Sequence, residues 1–201
     1  IRLELGYEQP GDTPANNRYT RAAAALHDWL KSGALRKDSQ PAVYYHTIEY
    51  RPPYSAPGTQ TKVFKGFLST VELEEFGSGK IYPHENTRAA AKTDRLNLLE
   101  ACRANFSAII SLYSDPQNEV LTLLEQAIAG DKPRIDFQDD EGFRQQLWSV
   151  TDPTVLAKVV QIMNTKQLFI ADGHHRYETA LNYRRARRQQ AGAVTSPQPY
   201  D

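Results

Sequence analysis

KQLFIADGHHRYETAL, residues 166–181, decides how this chain is read. Its apolar run LFIA stops at Asp172-Gly173, and two histidines and an arginine follow on what the pattern makes the first turn of a helix. A strand that ends in a glycine turn and feeds a helix leaves unpaired backbone N–H groups and the positive end of the helix dipole aimed at one point. Anions bind at such a point. His174, His175 and Arg176 add donors to the turn at Gly173, and the guanidinium of Arg176 is a planar fork that matches phosphate oxygens. Asp172 is a candidate cap for the helix or a candidate ligand for a divalent cation beside a phosphate. The competing reading is an Asp-capped helix with solvent-facing histidines and with Arg176 in a surface ion pair to Glu178 or another carboxylate. Adjacent residues on a helix point about 100° apart, so His174 and His175 do not share one metal ion as an i, i+4 pair does. From this stretch we expect a buried strand over residues 168–171 and a helix that begins within two residues of Gly173.

Working outward, residues 18–31 carry Tyr19, Ala22, Ala23, Leu26, Trp29 and Leu30 at helical spacing, with Asn17 before and Gly33 after as caps. Residues 42–50 and 62–73 are rich in aromatic and β-branched side chains and read as a hairpin. The prolines and glycine of RPPYSAPGTQ make its tip a loop; around Tyr54 that loop is a plain solvent turn or a lid over a pocket. Helical pattern returns at 93–104, strand alternation at 106–113, and helix again at 118–129 before Gly130. Residues 134–137 and 143–150 flank the turn signal DDEG, which predicts a second hairpin. Asp152-Pro153 then opens a helix carrying Val155, Leu156, Val159, Val160 and Met163, and it leads into the strand of the opening motif. Hairpins early and strand–helix alternation later predict an α/β or α+β fold with a mixed sheet and flanking helices. We divide the chain into a helix and hairpin region, 1–79, and a region 80–201 that holds the motif, the two also readable as one continuous domain.

Composition narrows the function. Twenty-four basic and 24 acidic side chains cancel, so no global field draws the chain to nucleic acid or to acidic lipid, and any such contact has to be local. The RRARRQQ tail at 184–190 puts its arginines at a helix C-terminus, where the dipole favours cations. One cysteine, Cys102, excludes an intramolecular disulfide and a cysteine-based zinc site and fits a reducing compartment. Its apolar neighbours make it a small buried side chain. No apolar run is long enough to span a bilayer, so the expected location is the cytoplasm. The chain starts at Ile1 without a methionine and ends just after Pro-Gln-Pro-Tyr, from which we expect a longer parent protein. No Walker loop, GxGxxG, HExxH or paired CxxC is present.

Three blocks carry a resemblance. IADGHHRYETA, the KIYPHENT stretch at 80–87 with Lys92, Asp94-Arg95-Leu96 and RANFSAIISLYSD after it, and LWSVTDP at 147–153 resemble the bacterial and archaeal family known as domain of unknown function 1015. Its strand-to-helix motif is in turn similar to those of ParB-type nucleotidases, sulfiredoxin and free serine kinases. Sulfiredoxin chemistry needs a cysteine in the glycine turn, where this chain has His174. The resemblance implies a ParB/sulfiredoxin-like core around the motif and a nucleotide site, with ATP or ADP and magnesium as ligands. It implies a nucleotide and a small-molecule substrate as partners, and phosphotransfer to a small hydroxyl compound, such as a free hydroxy amino acid, as the activity. Gly173, His174, His175, Arg176 and Thr87 would then hold phosphate, and Asp172 the magnesium. In the related kinases a carboxylate from a separate segment faces the nucleotide motif, which makes Glu85, with His84 beside it, the candidate catalytic group. Glu85 is otherwise a first-turn carboxylate at a helix start, and Thr87 a helix cap. Lys92, Asp94 and Arg95 either lend charge to the pocket or form a solvated face. A shared site requires His84 or Glu85 within about 10 Å of residues 174–176. Two other classes remain open: a nucleotide-sensing or DNA-partitioning regulator, and a structural domain whose turn binds anions adventitiously.

Overall fold

A computed structural model describes all residues except 1–2, 53, 57, 88, 193–195 and 201. Along the chain run α1 (Arg18–Ser32), β1 (Val43–Tyr50), β2 (Lys62–Leu68), β3 (Ile81–Tyr82), α2 (Ala89–Cys102), β4 (Ile110–Leu112), α3 (Glu119–Ala127), β5 (Ile135–Gln138), β6 (Arg144–Val150), α4 (Pro153–Met163), β7 (Leu168–Asp172) and α5 (His174–Ala191). The fold is mixed α+β, with two sheets. The chain visits two compact units alternately: Ile1–Asp38, Glu72–Tyr113 and Gln167–Asp201 form one, and Ser39–Val71 with Ser114–Lys166 the other.

The second of these units is built on an antiparallel sheet in the order β2-β1-β6-β5. Both expected hairpins, β1–β2 and β5–β6, are present, and β1 pairs with β6 to join them. Burial alternates along the first part of β1, where Val43, Tyr45 and Thr47 face inward. The Tyr45 hydroxyl donates to Glu125 on α3 at 2.6 Å, and Lys65 on β2 reaches the same carboxylate oxygen at 2.7 Å. Val120 and Leu124 put the apolar side of α3 fully inside. Asp152 caps α4, accepting from the N–H groups of Thr154 and Val155, and, as the sequence predicts, Pro153 occupies the first turn, where no N–H is needed. The loop between β1 and β2 is a solvent loop at Tyr54, which is fully exposed; Pro53 and Pro57 lie outside the described residues.

The other unit centres on β7. This strand pairs in parallel with β3 and antiparallel with β4, giving a three-stranded sheet in the order β3-β7-β4. Ile170 at its middle is 1% exposed and packs with Ile81, Tyr177 and Leu181; Leu73, Phe76, Ile109 and Leu168 surround them. Along α5, His174, Tyr177, Leu181 and Arg184 are buried at spacings of three and four residues, one side of a helix. That stripe fixes α5 over β7. Tyr177 stacks on Phe76 at 5.2 Å and its hydroxyl donates to the carbonyl of Glu74, while the Glu74 N–H donates back to it. Beside this core, α1 packs on α2 through Leu3, Ala22 and Leu98, with Tyr19, Trp29, Cys102 and Phe106 at the margin. Asn17 and Thr20 close a capping box at the start of α1, and Gly33 ends the helix at φ 78°, as the sequence predicts.

Several boundaries differ from the sequence reading, each for a physical reason. The expected strand over 168–171 forms, but only Ile170 is buried; Phe169 and Ala171 point to the open side of a small sheet. The β1–β2 pairing ends at Tyr44 opposite Leu68, and the apolar pattern runs on to Leu73 because Leu73 joins the core around Ile170. The strand expected over 106–113 shrinks to Ile110–Leu112: Phe106 packs by α1 and α2, Ile109 by Ile170, and a register shift follows Ile110. α2 starts at Ala89, ahead of Thr93, on three alanines, the strongest helix formers.

Candidate functional site

β7 ends at Asp172, and Gly173 turns the chain with φ 99°, a left-handed conformation that residues with a Cβ adopt at a cost. α5 begins at His174, and Gly173 stands at its cap position with no side chain among the described residues accepting from the first-turn N–H groups. Asp172 therefore does not cap the helix. Its carboxylate forms an ion pair with Arg176 one turn on, and the guanidinium of Arg176 folds back over Gly173, so that a Cβ there would meet it at 2.8 Å. Arg176 Nε is buried and has no hydrogen-bond partner among the described residues.

His174 is 1% exposed, because it opens the buried stripe of α5. Its Nε2 accepts the backbone N–H of His84 at 3.2 Å. His84 sits just after β3, its ring edge-on to that of His174 with centroids 4.5 Å apart, and its Nδ1 donates to the carbonyl of Ile170 on β7 at 2.7 Å. The segment after β3 is thus fastened to β7 and α5 through both histidines. Glu85, next in the chain, brings Oε1 to 3.0 Å from Nδ1 of His174. The contact is an ion-pair distance without hydrogen-bond alignment, since the buried Nδ1 has no aligned acceptor. The Glu85 side chain is 54% exposed. The convergence of His84 and Glu85 on residues 174–176 is present.

Thr87 and Lys92 both meet Glu178, one turn beyond His174. The Thr87 hydroxyl and the Lys92 ammonium donate to the same Glu178 oxygen, each at 2.7 Å. Burial works against the charged form of Glu178, and those two bonds, with the charges of Lys92 and His175, outweigh it and hold the carboxyl below its ordinary range. Glu178, which the sequence reading considered only as a partner for Arg176, is therefore the tie between α5 and the chain entering α2. Its i, i+4 spacing from His174 is the signal that would have found it. Asp94 binds Arg18 and Tyr19 on α1, and Arg95 binds Glu4, so these two charges lie neither in the pocket nor on a solvated face. Arg184, one of the arginines expected at a helix C-terminus, is buried and donates to the Leu73 carbonyl and to Glu75. Cys102 lies half-buried at the end of α2, where burial pushes its thiol up. Among the described residues no group of three His, Cys, Asp or Glu side chains is placed to hold a metal ion. No helix among them is long and apolar enough to cross a membrane.

An uncapped helix start, a carboxylate at its first side chain and an arginine folded over the glycine turn are compatible with binding an anion and moving a proton beside it. No curated protein and no solved structure matches this chain. The model of the family described as "Protein of unknown function (DUF1015)" matches residues 1–201, and the chain belongs to that family.

Proposed function

We propose that this site is a nucleotide-dependent phosphotransferase centre acting on a small hydroxyl substrate such as a free hydroxy amino acid. The observation that carries the reading is the placing of Glu85 Oε1 3.0 Å from the first side chain of a helix whose N-terminus no side chain caps. The first-turn N–H groups of α5 hold the terminal phosphate of ATP, and Arg176, whose buried Nε lacks an acceptor, adds its fork to the same oxygens. The substrate hydroxyl oxygen attacks the terminal phosphorus. A new P–O bond forms, the bond to the bridging oxygen breaks, ADP leaves with its electron pair, and the hydroxyl proton passes to the Glu85 carboxylate.

Among the described residues no cluster of ligands forms a protein cage for magnesium, but magnesium is held by one or two carboxylates together with substrate phosphates, and Asp172, ion-paired with Arg176 at the turn, is a carboxylate that would fit that role. Asp172 is the group that would meet a cation arriving on the nucleotide. Thr87 is committed to Glu178 and belongs to the scaffold of this proposal. The ParB/sulfiredoxin likeness of the core and the cytoplasmic location are parts of the same reading.

Glu85→Gln tests it. The change is nearly isosteric, so nucleotide affinity should survive, while transfer to the hydroxyl substrate should fall by on the order of 100-fold, as loss of general-base assistance does. Unchanged turnover rejects Glu85 as the base. Nucleotide binding by the unaltered protein without turnover on any hydroxyl substrate favours a sensor.

A further inference from the structure

Resting on that reading, we propose that the ring of His174 is not a phosphate ligand but the positioning residue for Glu85, held for that purpose as a single tautomer. A neutral imidazole carries one proton. The backbone N–H of His84 donates to Nε2 of His174, so Nε2 is an acceptor and the proton resides on Nδ1. A backbone amide cannot reverse its role, which makes the tautomer a property of the fold. Nδ1–H is then a donor inside the protein, 1% exposed with its residue, and without an aligned acceptor. Leaving such a donor unmatched is costly, and Oε1 of Glu85 lies 3.0 Å from it. Glu85 is half exposed and turns at small cost, whereas His174 is locked from the other side, so alignment comes from rotation of the carboxylate onto the ring. Held there by Oε1, Glu85 keeps Oε2 for the substrate hydroxyl.

The supports of this arrangement are themselves fixed. His84 donates from Nδ1 to the Ile170 carbonyl, which pins the peptide that sets the tautomer to the central strand. Position 84 therefore contributes through its backbone as well as its side chain. The ring of His174 faces away from the phosphate role because its two nitrogens are both assigned, one to the His84 peptide and one to Glu85. The phosphate contact of this residue is left to its main-chain N–H.

Two substitutions separate the two nitrogens. An asparagine amide reaches the place of Nδ1, and a glutamine amide reaches the place of Nε2. His174→Asn keeps a donor for Glu85 and should retain turnover within about tenfold, whereas His174→Gln keeps the partner of His84 but not the donor. In His174→Gln, kcat should fall by on the order of 100-fold with nucleotide affinity within about threefold. Equal losses in the two variants, or a loss of nucleotide affinity in His174→Gln, would overturn the proposal. Because either variant can fold poorly, the unaltered protein is measured too, by nitrogen-15 correlation of its imidazoles. The spectrum should show His174 protonated on Nδ1 and bare on Nε2, and Glu85→Gln should move the Nδ1 resonance while leaving the tautomer. A proton on Nε2, or an Nδ1 resonance indifferent to Glu85→Gln, would refute the pairing. This last measurement needs no turnover, so it decides the pairing even where the phosphotransferase reading fails.

Discussion

Replacing Glu178 with glutamine should loosen the chain between β3 and α2 from α5, by an amount that follows from its contacts. Glu178 accepts two bonds on one oxygen, from Thr87 and from Lys92, each at 2.7 Å, and the Lys92 and Glu178 side chains are 27% and 24% exposed. A hydrogen bond to a charged group contributes about 1.5 to 3 kcal/mol when buried, and an exposed ion pair about 0 to 1, so this intermediate site should contribute about 1 to 2 kcal/mol. For a protein of this size that corresponds to a melting point lower by about 2 to 8 °C. The sign of its pH dependence is fixed. The folded carboxyl titrates below the unfolded one, so the contribution is complete above the unfolded value and disappears as pH falls through the folded value. Thermal melts of the protein and of Glu178→Gln should therefore differ at pH 7 and converge in acid. A double cycle with Lys92→Met should return most of the loss as coupling. Identical melting points at pH 7, or a gap that persists in acid, would refute the assignment of Glu178 as the tie.

Two further substitutions probe the frame of the site. Ile170→Ala removes the most buried side chain of the central strand and should cost about 2 to 5 kcal/mol in urea unfolding; a cost under about 1 kcal/mol would mean that the core around β7 is not packed as described. Gly173→Ala forces a Cβ onto a left-handed turn and against the Arg176 guanidinium at 2.8 Å, so it should cost about 1 to 2 kcal/mol of stability and weaken nucleotide binding; a neutral outcome on both would separate the turn from the site.

Much of this was legible in the sequence because it is local. The cap residues Asn17 and Gly33 and the Asp152-Pro153 opening announce their helices, the DDEG turn announces its hairpin, and an apolar run broken at Asp172-Gly173 announces a strand-to-helix junction. The convergence of His84 and Glu85 on that junction came from the resemblance, and it holds because β3 lies parallel to β7. What escaped is what depends on partners distant in the chain. Nothing local to residues 43–50 or 144–150 tells that β1 and β6 pair, and Leu73 looks like the end of a strand when it serves another core. His174 reads as a phosphate donor or a solvent-facing histidine and Arg184 as one of several arginines at a helix C-terminus, yet both fall on the buried stripe set by Tyr177 and Leu181. Polar residues at apolar positions of a helix are buried with partners, and those partners, the His84 peptide and the Leu73 carbonyl, lie about ninety and a hundred and ten residues away.

The central claim is that the turn at Gly173 binds nucleotide phosphate through α5 and Arg176. Calorimetric titration of ATP, ADP and CTP with magnesium into the protein and into Arg176→Ala tests it most directly. At least one nucleotide should bind the unaltered protein, and Arg176→Ala should bind it roughly ten- to a hundredfold more weakly, the loss of one charge-assisted contact. Absence of binding by all three nucleotides, or equal affinity in Arg176→Ala, would contradict the account.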